Sequence, residues 1–200
     1  MSTLETNLIQ PATGTALQVG ASGDTITIPS GATFNVAGTV GTGFTQGITE
    51  FDSWRLTANY TGSSGVIDGS WERQDTNSEN IKLGTGMSQS SGVFTFPSTG
   101  IWRIAFWSEF SHSAASNYNG FYLDYSTNSG GAFSYLNGAW GNADAASRIS
   151  TLGTEAFLNV SNASTYRIRA SASGTNNATY DGNTNVNYTY FTFIRLGDST

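Results

Sequence analysis

The amino-acid sequence predicts an all-β fold, a sandwich or jelly roll of antiparallel strands preceded by an N-terminal extended β segment. Three observations carry this. Gly, Ser, Thr and Asn make up 94 of the 200 residues, the vocabulary of tight turns and of β-branched strand positions. Aromatic residues make up 13%, more apolar area than a disordered polar chain leaves in water. Charged residues make up only 11%, and Ala, Leu, Glu and Lys at helical spacing are scarce, which argues against bundles and coiled coils.

Composition also limits the partners. The absence of cysteine rules out a disulfide scaffold and a thiolate zinc site. Eight cations against fourteen anions, with a pI near 4.5, offer no basic patch for phosphate, so nucleic acid is not an expected partner. The start of the chain, Met1-Ser-Thr-Leu-Glu-Thr-Asn7, lacks a basic region followed by an apolar core. No run is long enough to span a bilayer, so neither export by a signal peptide nor membrane insertion is expected. Missing thiols suit a protein that persists outside cells.

One break in composition falls near residue 50. Residues 1–50 hold no Trp, Tyr, Lys or Arg, and every such residue of the protein lies at or beyond Phe51. The expected organisation is an attachment or oligomerisation segment over 1–50 and a head domain over 51–200. In the first part, Thr25–Ile28 and Thr33–Val36 alternate polar and apolar residues around the turn Pro29-Ser-Gly-Ala32, which predicts two short strands. So small a pair cannot stand alone in water and needs a partner to pack on. Residues 37–50 read as a Gly/Thr-rich linker.

In the second part strands follow at regular intervals. Phe51–Tyr60 puts Trp54, Leu56 and Ala58 on one face, and Gly92–Phe96 alternates up to Pro97. Ile101–Trp107 is almost wholly apolar, the pattern of a central strand covered on both faces. Gly120–Tyr125 runs into the turn Asn128-Ser-Gly-Gly131, with Ala132–Leu136 as its hairpin partner. Ala156–Val160, Tyr166–Ala170 and Asn187–Leu196 complete the set, the last alternating Tyr188 and Tyr190 against Phe191 and Phe193. Eight or so strands and no long helical segment indicate a sandwich or jelly roll.

Gly92-Val-Phe-Thr-Phe-Pro97-Ser-Thr-Gly100-Ile-Trp-Arg-Ile-Ala-Phe106 resembles the signature of the complement-type globular head of the tumour-necrosis-factor-like jelly-roll superfamily. Phe157–Val160, Thr165–Arg169 and Tyr190–Leu196 are similar to that family's last three strands, so the resemblance spans residues 51–200. The family's Gly-Asp before the penultimate strand is replaced here by Asn162-Ala-Ser164. Residues 25–38 resemble a segment common in bacteriophage tail and fibre proteins. Together the two resemblances imply a homotrimeric virion appendage, located on the particle surface and held to other virion proteins through residues 1–50. Host contact through a glycan or an outer-membrane protein is the implied role, with capsid decoration as the alternative. The residues support self-association independently: Trp102, Phe106, Tyr190, Phe191 and Phe193 carry more aromatic area than a lone sandwich buries, which marks them as candidates for the oligomer interface.

Catalytic chemistry finds little footing in the residues. His112, the single histidine, lies among hydroxyls without a Gly-x-Ser-x-Gly elbow. Several nitrogen ligands or an aspartate-rich loop would be needed for a metal, and neither occurs. Carboxylate pairs suited to glycoside hydrolysis are Asp68 with Glu72 and Glu109 with Asp124. No catalytic residue, cofactor or metal is therefore expected, and a glycan-active enzyme or carbohydrate-binding module is the rival class. Binding suits the composition better, because Tyr and Trp beside Asn and Ser form rigid, amphipathic contact surfaces. The segments 117–119, 137–142 and 180–183 read as loops of this kind, with Tyr118, Trp140, Asn142, Tyr180 and Asp181 as candidate ligand contacts. Trp140 and Tyr118 could equally fill a seam between subunits.

Overall fold

A thirteen-residue strand, Gly100–His112, organises the structure, because period-2 alternation continues well past the apolar run that first marks it. Trp102, Ile104, Phe106, Ser108, Phe110 and His112 all point inward and are buried. The two polar members of that row are satisfied. Ser108 shares a hydrogen bond with the Thr189 hydroxyl at 2.8 Å, and both ring nitrogens of His112 have partners.

The computed structural model describes residues 19–33, 47–74 and 82–200. Among them are eleven strands and no helix: β1 (Phe51–Leu56), β2 (Tyr60–Val66), β3 (Trp71–Arg73), β4 (Ser88–Ser90), β5 (Val93–Thr95), β6 (Gly100–His112), β7 (Ser116–Ser126), β8 (Ser134–Ala143), β9 (Ile149–Val160), β10 (Arg167–Tyr180) and β11 (Thr189–Gly197). All pairings are antiparallel. One layer runs β3-β1-β11-β6-β9. The other runs β8-β7-β10, with β2 and β5 along the far edge of β10 and β4 beyond β5. The layers are continuous, because Ala178–Tyr180 at the end of β10 pair with Phe110–His112 of β6. This all-β jelly roll matches the predicted fold class. The seven segments read as strands across 92–196 each overlap an observed strand; the eighth, read as Phe51–Tyr60, ends at Leu56, and β2, β3 and β4 are additional.

Between the layers lies a continuous aromatic core. Phe94 packs edge-on to Trp54 and Trp71, both at 5.6 Å between ring centroids, and lies 5.0 Å from Phe191. Phe106 meets Phe121 and Phe191 at 4.6 Å each, within the range in which offset and edge-to-face rings attract. One buried carboxylate ties the first layer together. Asp52 accepts hydrogen bonds from Trp54 Nε1 at 2.9 Å, Arg73 Nε at 2.9 Å and the Met87 amide at 2.7 Å. Asp52→Asn removes the charge and turns an N–H toward these donors, so urea unfolding is expected to show a loss of about 2 kcal/mol.

Alternation corrects the expected oligomer interface. Trp102, Phe106, Phe191 and Phe193 are buried inside the sandwich, facing the second layer. Only Tyr190, half-buried, lies on the opposite side, paired with Trp107. Both rows of the run 101–107 carry large apolar side chains, and only Arg103, continued by Glu109, marks the odd row as the outward one. That strand is not covered on both faces in the single chain, since Trp107 is 46% exposed.

The chain divides into two units, Met1–Phe44 and Thr45–Thr200. In the first, the turn expected at Pro29–Ala32 forms: the Ala32 amide donates to the Pro29 carbonyl at 3.0 Å, with Gly31 at φ 84°. Thr25–Ile28 makes no strand pairing, and Ile26 and Ile28 are exposed. So few apolar side chains offer no face on which a strand could dock, which is why the predicted strand is absent here. Its expected partner over 33–36 lies outside the described residues beyond Thr33.

Candidate functional site: two exposed aromatic faces

The outward side of the layer β3-β1-β11-β6-β9 is the first candidate. Trp107, Phe157 and Ile149 are exposed by 46%, 58% and 64%. Strand pairing sets Phe157 beside Arg103, Tyr190 beside Trp107, Ile194 beside Arg103 and Ile149 beside Ser111, so they share one side of the layer, with Glu155 and Glu109 between the exposed apolar side chains. Gly153 lies directly across from Trp107, and a Cβ there would come within 2.5 Å of the indole carbons. Only glycine lets the indole lie flat. Two ion pairs lie on this face, Arg103 with Glu155 at 2.5 Å and Arg55 with Glu72 at 2.6 Å, and Glu109, opposite Thr151, adds a carboxylate outside them.

The second candidate lies on the outward side of β7 and β8. Tyr118, Trp140 and Asn142, read from sequence as loop residues, stand on these strands instead. Asn137-Gly-Ala-Trp-Gly-Asn142 carries the composition of a turn, yet β8 runs through it because β7 supplies a complete ladder. Trp140 sits opposite Gly120, and its ring plane lies 17° from that of Tyr135. Tyr122 is 6.2 Å from Tyr135. Sequence reasoning missed Tyr122 and Tyr135. Their signal was available, since Tyr122 has the parity opposite to buried Phe121 and Leu123.

Tyr180 and Asp181 do not join that surface. Tyr180 is interior, its hydroxyl donating to the Gly120 carbonyl, and burial pushes its phenol up from the usual value. Rather than touching a ligand, it braces β7 from the core side. The Asp181 amide donates to the Glu109 carbonyl at 3.0 Å. Burial, and then the Glu109 charge, raise the Asp181 carboxyl above its ordinary value. Such a group costs stability once it is ionised. The folded state holds its proton more tightly than the unfolded chain, so this cost is present above the folded value and disappears below the unfolded one. Asp181→Asn is therefore expected to have a higher melting temperature than wild type at pH 7. The gap should close as pH falls toward 3.8, the ordinary carboxyl value, in a melting series across that range.

The constellations considered for catalysis resolve into structural networks. His112 Nδ1 accepts from Asn119 Nδ2 at 3.2 Å, an orientation set by Asn119 Oδ1, which accepts from the Asn176 amide at 3.3 Å. Nε2 must then carry the proton and donate to Ser150 Oγ at 2.9 Å. That tautomer cannot take a proton from the serine. Of the carboxylate pairs, Glu72 is held by Arg55, and Asp124 by Arg169 at 3.1 Å. Glu109 has Asp181 as its acidic neighbour. Among the described residues no cluster of three or more metal-ligating side chains occurs.

No family model and no curated protein matches the sequence. Solved structures do match. The Eiger TNF of S. frugiperda superposes with a TM-score of 0.58 at 11% identity, covering 75% of this chain and 94% of that one. Murine APRIL superposes with a TM-score of 0.54 at 13% identity, covering 74% and 98%. The fold is a TNF-like jelly roll. On it, the two aromatic faces lie on the outward sides of different layers, one built from Trp, Phe and Ile and the other mainly from Tyr.

Proposed function

We propose that this TNF-like jelly roll is the head of a non-enzymatic, homotrimeric appendage on a bacteriophage particle. In this reading residues 1–50 attach it to other virion proteins and the head meets the host surface. The observation that carries self-association is the exposure of Trp107, Phe157 and Ile149 on one side of a layer, left open in the single chain. Exposed apolar surface of that kind marks an interface, and closed symmetry is its usual solution. The particle and the host enter from the resemblance of residues 25–38 to phage fibre segments and from the composition break near residue 50. Exposed Ile26 and Ile28 suit a segment that gains its pairing from a partner. Sedimentation of the purified chain tests the trimer, and a monomer at micromolar concentration overturns it. Deletion of residues 1–40 tests attachment: particles assembled with the truncated chain should lack it, and normal incorporation would refute the anchoring role.

A further inference from the structure

We infer that the outward side of β7 and β8 is a stacking platform for a neutral carbohydrate, with Trp140 and Tyr135 as its two principal surfaces. This deepens the host-contact reading above by naming the site and the ligand class, and it does not depend on the trimer.

Flatness is built in. A Cβ on Gly138 would come within 2.5 Å of the outer ring of Trp140, so glycine there lets the indole lie along the sheet with its other side open. Trp140 is 41% exposed and Tyr135 58% exposed. Their nearly parallel planes, 6.5 Å apart between centroids, form a two-step surface for successive pyranose rings. The C–H face of a sugar packs on such a surface while its hydroxyls stay at the edge. Polar groups for those hydroxyls stand alongside on the same two strands: the phenols of Tyr118 and Tyr122, and exposed Asn142.

Charge selects the class of sugar. The charged side chains in the adjoining register are Asp124, Arg169 and, one step further along β10, Arg167. Arg167 donates to the Tyr166 carbonyl at 2.7 Å, and Asp124 and Arg169 are engaged with one another. Asp124 Oδ2 accepts from Arg169 Nε at 3.1 Å and from the Ser171 hydroxyl at 3.0 Å. The Arg169 guanidinium also lies 3.7 Å from the centre of the Phe133 ring. Neither charge of that pair is open to hold or repel an ionic ligand, which favours a neutral glycan. The phenols and amides also separate this surface from the Trp, Phe and Ile face assigned to self-association, since dry subunit seams are the more apolar. Rigidity adds to the case. The platform sits on strands, Tyr180 braces Gly120 from below, and Asn137 Nδ2 ties β8 to the Glu155 carbonyl at 2.7 Å. Little ordering cost is left for binding.

The test is gel retardation of the full chain by neutral polysaccharides (a β-glucan, a mannan and a galactan), with polygalacturonate as the anionic comparison. At least one neutral polymer is expected to retard the wild type. Trp140→Ala and Tyr135→Ala should each weaken that retardation about tenfold, and Trp140→Phe should largely keep it. If Trp140→Ala fails to fold, Tyr135→Ala carries the comparison, because its ring is mostly outside the core. Retardation by none of the neutral polymers, or by polygalacturonate alone, overturns the inference. So does unchanged binding by the alanine variants. A changed sedimentation coefficient for Trp140→Ala would make the platform a subunit seam instead, which also overturns it. A monomeric wild type that still binds glycan would defeat the trimer and leave this site standing.

Discussion

Phe94→Ala is expected to lower the unfolding free energy by about 3–5 kcal/mol, the usual cost of emptying a buried phenylalanine site. Phe94 is fully buried and stands at the junction of four rings, Trp54, Trp71, Phe191 and Phe193, with centroid distances between 5.0 and 5.6 Å. These rings come from β1, β3 and β11, whereas Phe94 comes from β5 in the facing layer. Its removal therefore takes away one of the aromatic contacts through which the two layers meet, as well as its own transfer energy. Relaxation can recover little, because each neighbour is held by its own strand pairing. Urea unfolding of the purified chain measures the loss. A change below about 1 kcal/mol would mean that the site collapses, and that the rings are not the joint between layers. Phe94→Leu keeps most of the volume and should cost less than the alanine variant.

Trp107→Glu is expected to convert the proposed trimer to monomer at concentrations where the wild type associates, with far-ultraviolet circular dichroism unchanged. Burying an aromatic side chain of this size contributes about 1.5–3 kcal/mol, and closed symmetry repeats that contribution at each subunit contact. A carboxylate in its place must be desolvated at every copy. The nearest cation, Arg103, is already committed to Glu155. Folding should be spared, because Trp107 points away from the core. Phe157→Glu should act in the same direction. Sedimentation velocity reads the outcome directly. A trimer that survives both substitutions would place the seam elsewhere, and the Trp107 face would then need another partner.

The sequence-level reading succeeded where period-2 patterns are strong and failed where a polar segment borrows order from a neighbour. Ile101–Trp107, Tyr166–Ala170 and Asn187–Leu196 are legible as strands, and the observed strands Gly100–His112, Arg167–Tyr180 and Thr189–Gly197 overlap them, two of them running well beyond. By contrast, β2, with the sequence Tyr-Thr-Gly-Ser-Ser-Gly-Val, has almost no apolar signal. It is a strand because β10 offers it an edge. The same holds for β8 around Trp140, where glycines and asparagines pointed to a loop. Of the five ligand contacts expected, Tyr118, Trp140 and Asn142 share one surface. Tyr180 went inside because its hydroxyl could be satisfied by the Gly120 carbonyl, a long-range match that local composition does not encode.

What the sequence determined by itself is the fold class: many short strands rather than helices, with every Trp and Tyr placed after residue 50. Those follow from residue types and from a two-residue period, both local properties. Which side of each strand faces the core was decided only in three dimensions. In Ile101–Trp107 both rows carry large apolar side chains, with Arg103 in the outer one, and the row that meets the second layer is the one buried. Trp102, Ile104 and Phe106 meet Phe96, Phe121 and Phe191 and are buried. Trp107, of equal hydrophobicity, is left outside on Gly153. Burial is a property of what lies opposite, and that is why the surface open for association became visible only in the folded chain.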